Sequence, residues 1–553
     1  MRSHHRKAER DMSTSFDWII VGSGFGGSVS ALRLAEKGYR VLVLEKGRRF
    51  GRADFAKNNS DVKRWIWAPK HGALGIYQMS FFRHVTVLHG VGVGGGSLVY
   101  ANTLPMPKPA FFEAPSWAHL ADWEEELGPY YALARKMLGA TTYPGDTAGD
   151  RVLRQIAADM GRSEHFHKTD VAVFFGQPGV EVEDPYFGGR GPRRVGCSHC
   201  GACMTGCTVG AKNTLDQNYL YLAEKLGVTV LPETEVTAVQ PKPGGGYVVH
   251  TRHSIDLSEG SSFDAGNVVL AGGVLGTLPL LLAMKEQPDG LPRLSPRLGQ
   301  FVRTNSEALP SVFVPGAKED YSQGVAITSI LHTDEHSHIE PVRYGKGSNF
   351  YKFLLSPHAP GDSAITRLLG SMLAWLRSPV AYLRQLFTKR LSEQTQVLLY
   401  MRTLEATLTL ARGRSLFTGG KVGLVSSVPD QQKGPTANMP EATALARSFA
   451  KKTNGVVSSM FTEMLTGAPT TAHILGGACM GADAQSGVIN DRHEVFGYPG
   501  LYVIDGAAVS ANPGVNPSLT ITALAERAMS FVPEATTKGT QQARPRARSL
   551  APA

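Results

Sequence analysis

Apolar and polar positions change period several times along this chain. A β-branched run, "FDWIIVG" (16–22), leads into a glycine-rich turn. A stretch with Ala31, Leu32, Leu34 and Ala35 on one side follows, and Gly38 separates it from a second apolar run, "RVLVLE" (40–45). The switch from strand to helix and back predicts a βαβ unit. Further on, "GAKNTLDQNYLYLAEKLGVTVLPETEV" (210–236) reads as a helix and then a strand reaching Val236. Near the end "LYVID" (501–505) reads as a strand. After it Asn516 stands as an N-cap with Pro517 at the first helical position, and Leu519, Leu524 and Ala528 share a helical face. No internal repeat is visible, and no apolar run reaches the eighteen residues of a membrane span.

Composition adds a size and a compartment. A chain of 553 residues with 42% hydrophobic and 19% charged residues can bury a large core and build more than one subdomain. The basic N-terminus has no apolar stretch of signal-peptide length behind it, which points to the cytoplasm, with Met12 an alternative start. Five cysteines in such a chain argue against a disulfide framework. The net charge of +10 is partly held in the termini, so residues 1–15 and 533–553 are expected to be disordered basic tails. With no recognition helix or aromatic-basic array in the body, nucleic acid is not the expected partner.

The first turn carries Gly22, Gly24 and Gly27 in GxGxxG spacing. Such glycines permit a tight turn, close approach to a pyrophosphate and close helix packing, while a helix N-terminus attracts the phosphate. Glu45 ends the second strand, where a carboxylate accepts ribose hydroxyls. Together they point to an adenine dinucleotide with free ribose hydroxyls, without separating FAD from NAD. A second glycine run, "LHGVGVGGGSLVYANT" (88–103), contains Gly94, Gly95 and Ser97 between apolar flanks, unlike a linker. The stretch "CSHCGACMTGC" (197–207) spaces Cys197, Cys200, Cys203 and Cys207 as C-x2-C-x2-C-x3-C, the ferredoxin spacing, with Thr208 where proline is usual. An iron-sulfur cluster, zinc, a redox-active pair and reduced packing thiols are the open readings. From Arg367 to Arg390 five positive charges and no negative one alternate with Leu, Trp, Tyr and Phe. This segment reads either as an amphipathic surface for an anionic membrane or as a helical pair with its apolar face on the body and its arginines in water.

These stretches, with "VVLAGGVLGTLPLLL", "HILGGACMG" (473–481) and "GLYVIDGAAVSANPGVNPSLTITALAERA" (500–528), resemble the glucose-methanol-choline (GMC) family of FAD-dependent oxidoreductases. Within it the resemblance is greatest to the sterol-oxidising enzymes and their intracellular relatives. It implies an α/β fold: a Rossmann-like FAD-binding domain from 16–110, 195–310 and 465–532, and a substrate domain from 111–194 and 311–464 with a mostly antiparallel sheet. It also implies FAD, with Glu45 on the adenosine ribose, the Val236 backbone near the adenine, Gly94, Gly95 and Ser97 on the flavin side, and Asp505 and Gly506 at the pyrophosphate. His473 and Asn516 would then face the reacting carbon, where an imidazole takes the hydroxyl proton. Glu340, in "HSHIEPVRYG", resembles the carboxylate that shifts the steroid double bond; a solvent-facing strand-edge Glu is the other reading. Tyr100 departs from the pattern, standing where those enzymes have an asparagine. The implied activity is FAD-dependent oxidation of a hydrophobic secondary alcohol, a 3β-hydroxysteroid, with oxygen or a redox partner as acceptor. The alternatives are a dehydrogenase for another alcohol or a sugar, passing electrons through a cluster, and a non-catalytic flavoprotein docked on a membrane.

Overall fold

The computed structural model describes residues 14–431 and 433–536, so most of both expected tails lies outside the described residues. Strand β1 (Ser15–Val21) alternates exposed and buried positions at its start and is buried from Trp18 to Ile20. That burial follows from its place: it pairs in parallel with β2 (Val41–Leu44) on one side and with β3 (Glu259–Leu270) on the other. Parallel strands need both faces covered. Helix α1 (Phe25–Glu36) covers one of them and can do so closely because Gly26 and Gly27 lack side chains. A Cβ on Gly26 would stand 1.6 Å from the Ile504 carbonyl oxygen, and one on Gly27 2.1 Å from that of Gly22. The predicted βαβ unit is therefore present.

The rest of this sheet comes from distant segments. Its order is Thr229–Leu231, β2, β1, β3, Tyr247–His253, Thr234–Pro241, with Leu501–Val503 added in parallel along the end of β3. Helix α2 (Val274–Lys285) leaves β3 through Gly272 and Gly273. A second sheet has the order Leu355–Pro357, Val456–Met460, Ser311–Phe313, Thr395–Arg402, Ser337–Val342, Ser329–His332, Phe166–Lys168, and every pairing in it is antiparallel. This is the α/β architecture with an antiparallel second sheet that the sequence implied.

Two segments differ from expectation. Phe111, Trp117, Trp123, Leu127 and Tyr131, assigned above to the substrate domain, pack into the core of the first sheet and its helices. The indole of Trp117 stacks on that of Trp123 at 4.4 Å and anchors the segment there. Helices α3 (Ala364–Arg377) and α4 (Pro379–Phe387) do not lay an apolar face on the body. Their buried side chains are Arg367, Ser371 and Gln385, while the large apolar residues point outward. Among the described residues no helix is long and apolar enough to cross a membrane.

Helix α5 (Ser518–Ser530) is buried over nearly its whole length and packs on α1. Its Glu526 takes Arg33 at 2.6 Å and the Tyr219 hydroxyl at 2.6 Å. The α5 N-cap is Pro517, one residue later than predicted, although its dihedrals are already helical (φ −83°, ψ −3°). Asn516 does not cap the helix: its side-chain oxygen accepts no hydrogen bond.

Candidate active site

A cavity of about 760 Å³ lies between the glycine turns of the first sheet and the face of the second. Gly22, Gly24, Glu45, Gly95, Val236, Asp505 and Gly506, all predicted cofactor contacts, line it. Gly22 has φ +99°, and a Cβ there would press to 2.4 Å from the Ala271 oxygen, so only glycine makes this turn. Glu45 holds the turn from the end of β2: its carboxylate accepts from Ser23 N at 3.0 Å, Ser23 Oγ at 2.7 Å and Gly47 N at 2.8 Å. Asp505 does the same across the sheet, accepting from Gly273 N at 2.8 Å, Thr277 Oγ1 at 2.6 Å and Ala507 N at 2.7 Å. Burial raises the Asp505 carboxyl to about 6, against those hydrogen bonds.

Three predicted contacts stand elsewhere. Gly27 is the helix-packing glycine. Gly94 and Ser97 lie behind the cavity wall, where Gly94 N donates to Ser23 Oγ at 3.0 Å and Ser97 Oγ donates to Gly94 O at 2.6 Å while accepting from Leu215 N at 3.0 Å. Their work is to lock the second glycine turn onto the first: a Cβ on Gly95 would come 2.5 Å from Gly24 Cα. Tyr100 lines the cavity and donates its hydroxyl to Asn213 O at 2.8 Å.

His473 and Asn516 also line the cavity, and Glu340 is fully buried next to them. His473 Nδ1 meets Glu307 Oε2 at 2.8 Å, and the other Glu307 oxygen accepts from the Thr471 hydroxyl. The carboxylate fixes the proton on Nδ1, leaving Nε2 as the nitrogen with a free lone pair. Burial alone would lower the His473 pKa, but the Glu307 charge and hydrogen bond, helped by Glu340, raise it above 6.5. Asn516 Oδ1 is buried with no hydrogen-bond partner. Burial raises Glu340 to about 8, against the pull of His473 and the Asn516 amide. Glu340 Oε1 lies 3.3 Å from His338 Nε2, and a line of rings continues across neighbouring strands to His332 and to exposed His167, with centroids 5.7 and 5.3 Å apart.

The rest of the wall is mostly apolar, including Leu309, Ile327, Val342, Val397, Leu399 and Met460. A polar cluster stands in it, where the hydroxyls of Tyr77 and Tyr344 each lie 3.1 Å from that of Tyr351. The motifs did not reveal Glu307, Thr471 or the tyrosines. Glu307 sits in "TNSEALP", 166 residues before His473, with no spacing that marks it.

Comparison with known proteins fixes the family. Residues 17–376 match the family described as FAD dependent oxidoreductase, and residues 418–525 match the GMC oxidoreductase family. Over 549 residues the chain is 43% identical to a cholesterol oxidase of Mycobacterium tuberculosis, covering 97% of this chain and 93% of that protein. A cholesterol oxidase of Acinetobacter baumannii is 42% identical over 530 residues, 94% of each chain. The crystal structure of pyridoxine 4-oxidase from Mesorbium loti superposes with a TM-score of 0.60 at 14% identity, covering 93% of this chain and 99% of that one. This chain belongs to the GMC oxidoreductases. It is an FAD-dependent alcohol oxidoreductase.

The GMC oxidoreductase cavity suits FAD in a way its own atoms show. Cβ atoms added to Gly273 or Gly276 would meet nothing within 4 Å, and both residues line the cavity, so the bare backbone there is open to a ligand. Gly22 to Gly26 and the start of α1 offer backbone amides to a pyrophosphate. Val236 and Arg252 from the antiparallel strands complete the wall beside Glu45.

The four cysteines of the 197–207 run line one small cavity together with Lys212. Burial raises Cys197 to about 12 and Cys203 to about 11, the neighbouring thiols adding to both. His199 N lies 3.4 Å from Cys197 Sγ and Gly210 N 3.3 Å from Cys207 Sγ. Lys212 ties this loop to the second glycine turn, donating to Leu98 O at 2.9 Å and Cys203 O at 2.8 Å. Met204, inside the run, lines the large cavity. Among the described residues no three His, Cys, Asp or Glu side chains gather where they could hold a single metal ion.

Proposed function

We propose that this GMC oxidoreductase oxidises the 3β-hydroxyl of a sterol. The observation that carries the reading is the meeting of His473 and Asn516 on a cavity with otherwise largely apolar walls, with Glu340 buried beside them; the identity to two cholesterol oxidases supports it. FAD, bound along the glycine turns, supplies the hydride acceptor. His473 Nε2 accepts the hydroxyl proton as the carbinol hydrogen leaves, and the Glu307 carboxylate stabilises the imidazolium that results. The Asn516 side chain holds the substrate oxygen. Glu340, buried beside them, takes a proton from the ring carbon next to the new ketone and returns it further along, moving the double bond into conjugation.

The test is anaerobic mixing with a 3β-hydroxysteroid. The flavin bands bleach in the wild type, and His473→Gln slows bleaching by roughly 10²–10⁴-fold while FAD stays bound. Unchanged bleaching in that variant removes His473 from the reaction. Glutamine is chosen because alanine would strand the buried Glu307 charge, at a cost of about 3–5 kcal/mol.

A second reading concerns the route of electrons. Four thiols at ferredoxin spacing line one cavity, with backbone N–H groups beside two of the sulfurs, and an iron-sulfur centre held by these thiolates would carry electrons outward. Iron and acid-labile sulfide measured in anaerobically purified protein decide it. About four irons per FAD support electron exit through this loop, whereas iron-free protein that makes peroxide leaves dioxygen as the acceptor.

A further inference from the structure

Helices α3 and α4 are built inside out. Their polar side chains turn inward: Arg367 donates to Met464 O at 2.8 Å and Gly361 O at 2.9 Å, Gln385 accepts from Ser458 at 2.9 Å, and Tyr382 donates to Val457 O at 3.0 Å. The apolar residues face out. Ile365 is 71% exposed and Phe387 74%, and Leu369, Met372, Leu376 and Val380 are exposed with them. A helix that anchors itself through polar groups and offers its apolar stripe to the outside has been shaped for an apolar phase rather than for water.

The position and charge of this face say which phase. From 364 to 390 the chain has arginines and lysines and no carboxylate. Arg377, Arg384, Lys389 and Arg390 are spaced through the outward-facing apolar residues, the pattern of a helix lying at an anionic lipid interface. A second copy seated on the same face by two-fold symmetry would bring those cations against one another. The face is also continuous with the cavity wall. Helix α4 packs on the turn Phe350–Phe353, whose Tyr351 lines the cavity, and Leu391, just after α4, lines it too. Helix α3 packs on the strand Leu355–Pro357 and on the short helix Phe461–Thr466, beside the lining residues Leu355 and Met460. Phe353 and Phe461 extend the exposed apolar surface at these joints.

We propose that α3 and α4 dock this enzyme on an anionic phospholipid bilayer and that its alcohol substrate passes from the bilayer into the cavity beneath them. The second clause rests on the sterol reading above, and the docking itself does not.

The experiment uses full-length holoenzyme and vesicles of phosphatidylcholine with and without phosphatidylglycerol. Wild type should co-sediment with the anionic vesicles and more weakly with the neutral ones. The triple variant Leu369→Ser, Met372→Ser, Leu376→Ser changes exposed positions only and should lose binding. With cholesterol in the vesicles its turnover should fall roughly tenfold or more, while turnover of detergent-dispersed cholesterol stays within about twofold of wild type. Equal vesicle binding by wild type and variant overturns the proposal. So does a wild type that ignores vesicles but dimerises in solution where the variant is monomeric, which assigns the face to a second copy. Loss of vesicle binding in the variant, with no turnover of any sterol by either protein, leaves docking standing and refutes the sterol reading alone.

Discussion

At the scale of single residues, the site depends on one carboxylate that no motif announces. Glu307 orients His473, sets its tautomer and keeps its pKa above 6.5 despite burial. If His473 is the base, it must be neutral to work, so the wild-type rate rises with pH through that elevated pKa. Glu307→Gln keeps the shape and removes the charge. The acid limb of kcat/KM should therefore move to lower pH and the plateau should fall, because the imidazole is left less basic and its cation less stabilised. A limb that stays in place would show that another group controls it. The stability sign is opposite. A folded pKa raised above the unfolded value stabilises most below about 6.5 and loses that contribution as pH rises through the folded value, so the stability gap between wild type and Glu307→Gln should narrow on going alkaline. His473 and Asn516 were legible because they stand in dense motifs, and Glu307 was not because its partner is remote in sequence.

At the scale of elements, the glycine turns separate into two kinds that sequence spacing cannot tell apart. Gly26 and Gly27 are pressed against backbone, whereas Gly276, inside α2, faces open cavity. Alanine at 26 must push α1 off the Ile504 strand end, costing about 1–3 kcal/mol as overpacking and loosening FAD with it. Alanine at 276 should leave the FAD-free fold as stable or more so, by about 0.5–1 kcal/mol of helix propensity, and still weaken FAD, because its methyl group enters the cofactor's space. Thermal melts with and without added FAD, together with the flavin content on purification, distinguish the two. Gly276→Ala with unaltered FAD affinity would remove α2 from the cofactor site. The same limit applied to Gly94 and Ser97: a glycine-rich run marks close approach but does not say whether ligand or protein is approached. It also applied to α3 and α4, whose amphipathic pattern was plain but whose orientation depended on what Arg367 and Gln385 could reach.

At the scale of the whole molecule, the architecture was readable because each half of the first sheet carries its own periodicity, while assembly was not. The sheet takes strands from residues 15–44, 229–270 and 501–503, and the site adds side chains from near 307, 340, 473 and 516. No single segment owns the cavity. A ligand that touches the turns at Gly22, Gly95, Gly273 and Gly506 at once therefore links segments that otherwise meet through the sheet and α5. FAD binding should act as a fold-wide clamp. Removal of FAD should lower the melting temperature, broaden the transition and expose the cavity edge to limited proteolysis. Added FAD should restore stability with its concentration, by about 2.7 kcal/mol at a hundredfold excess over Kd. A protein whose melting ignored FAD would mean that the sheet and α5 hold these segments alone, and the cofactor would then serve chemistry without serving the fold.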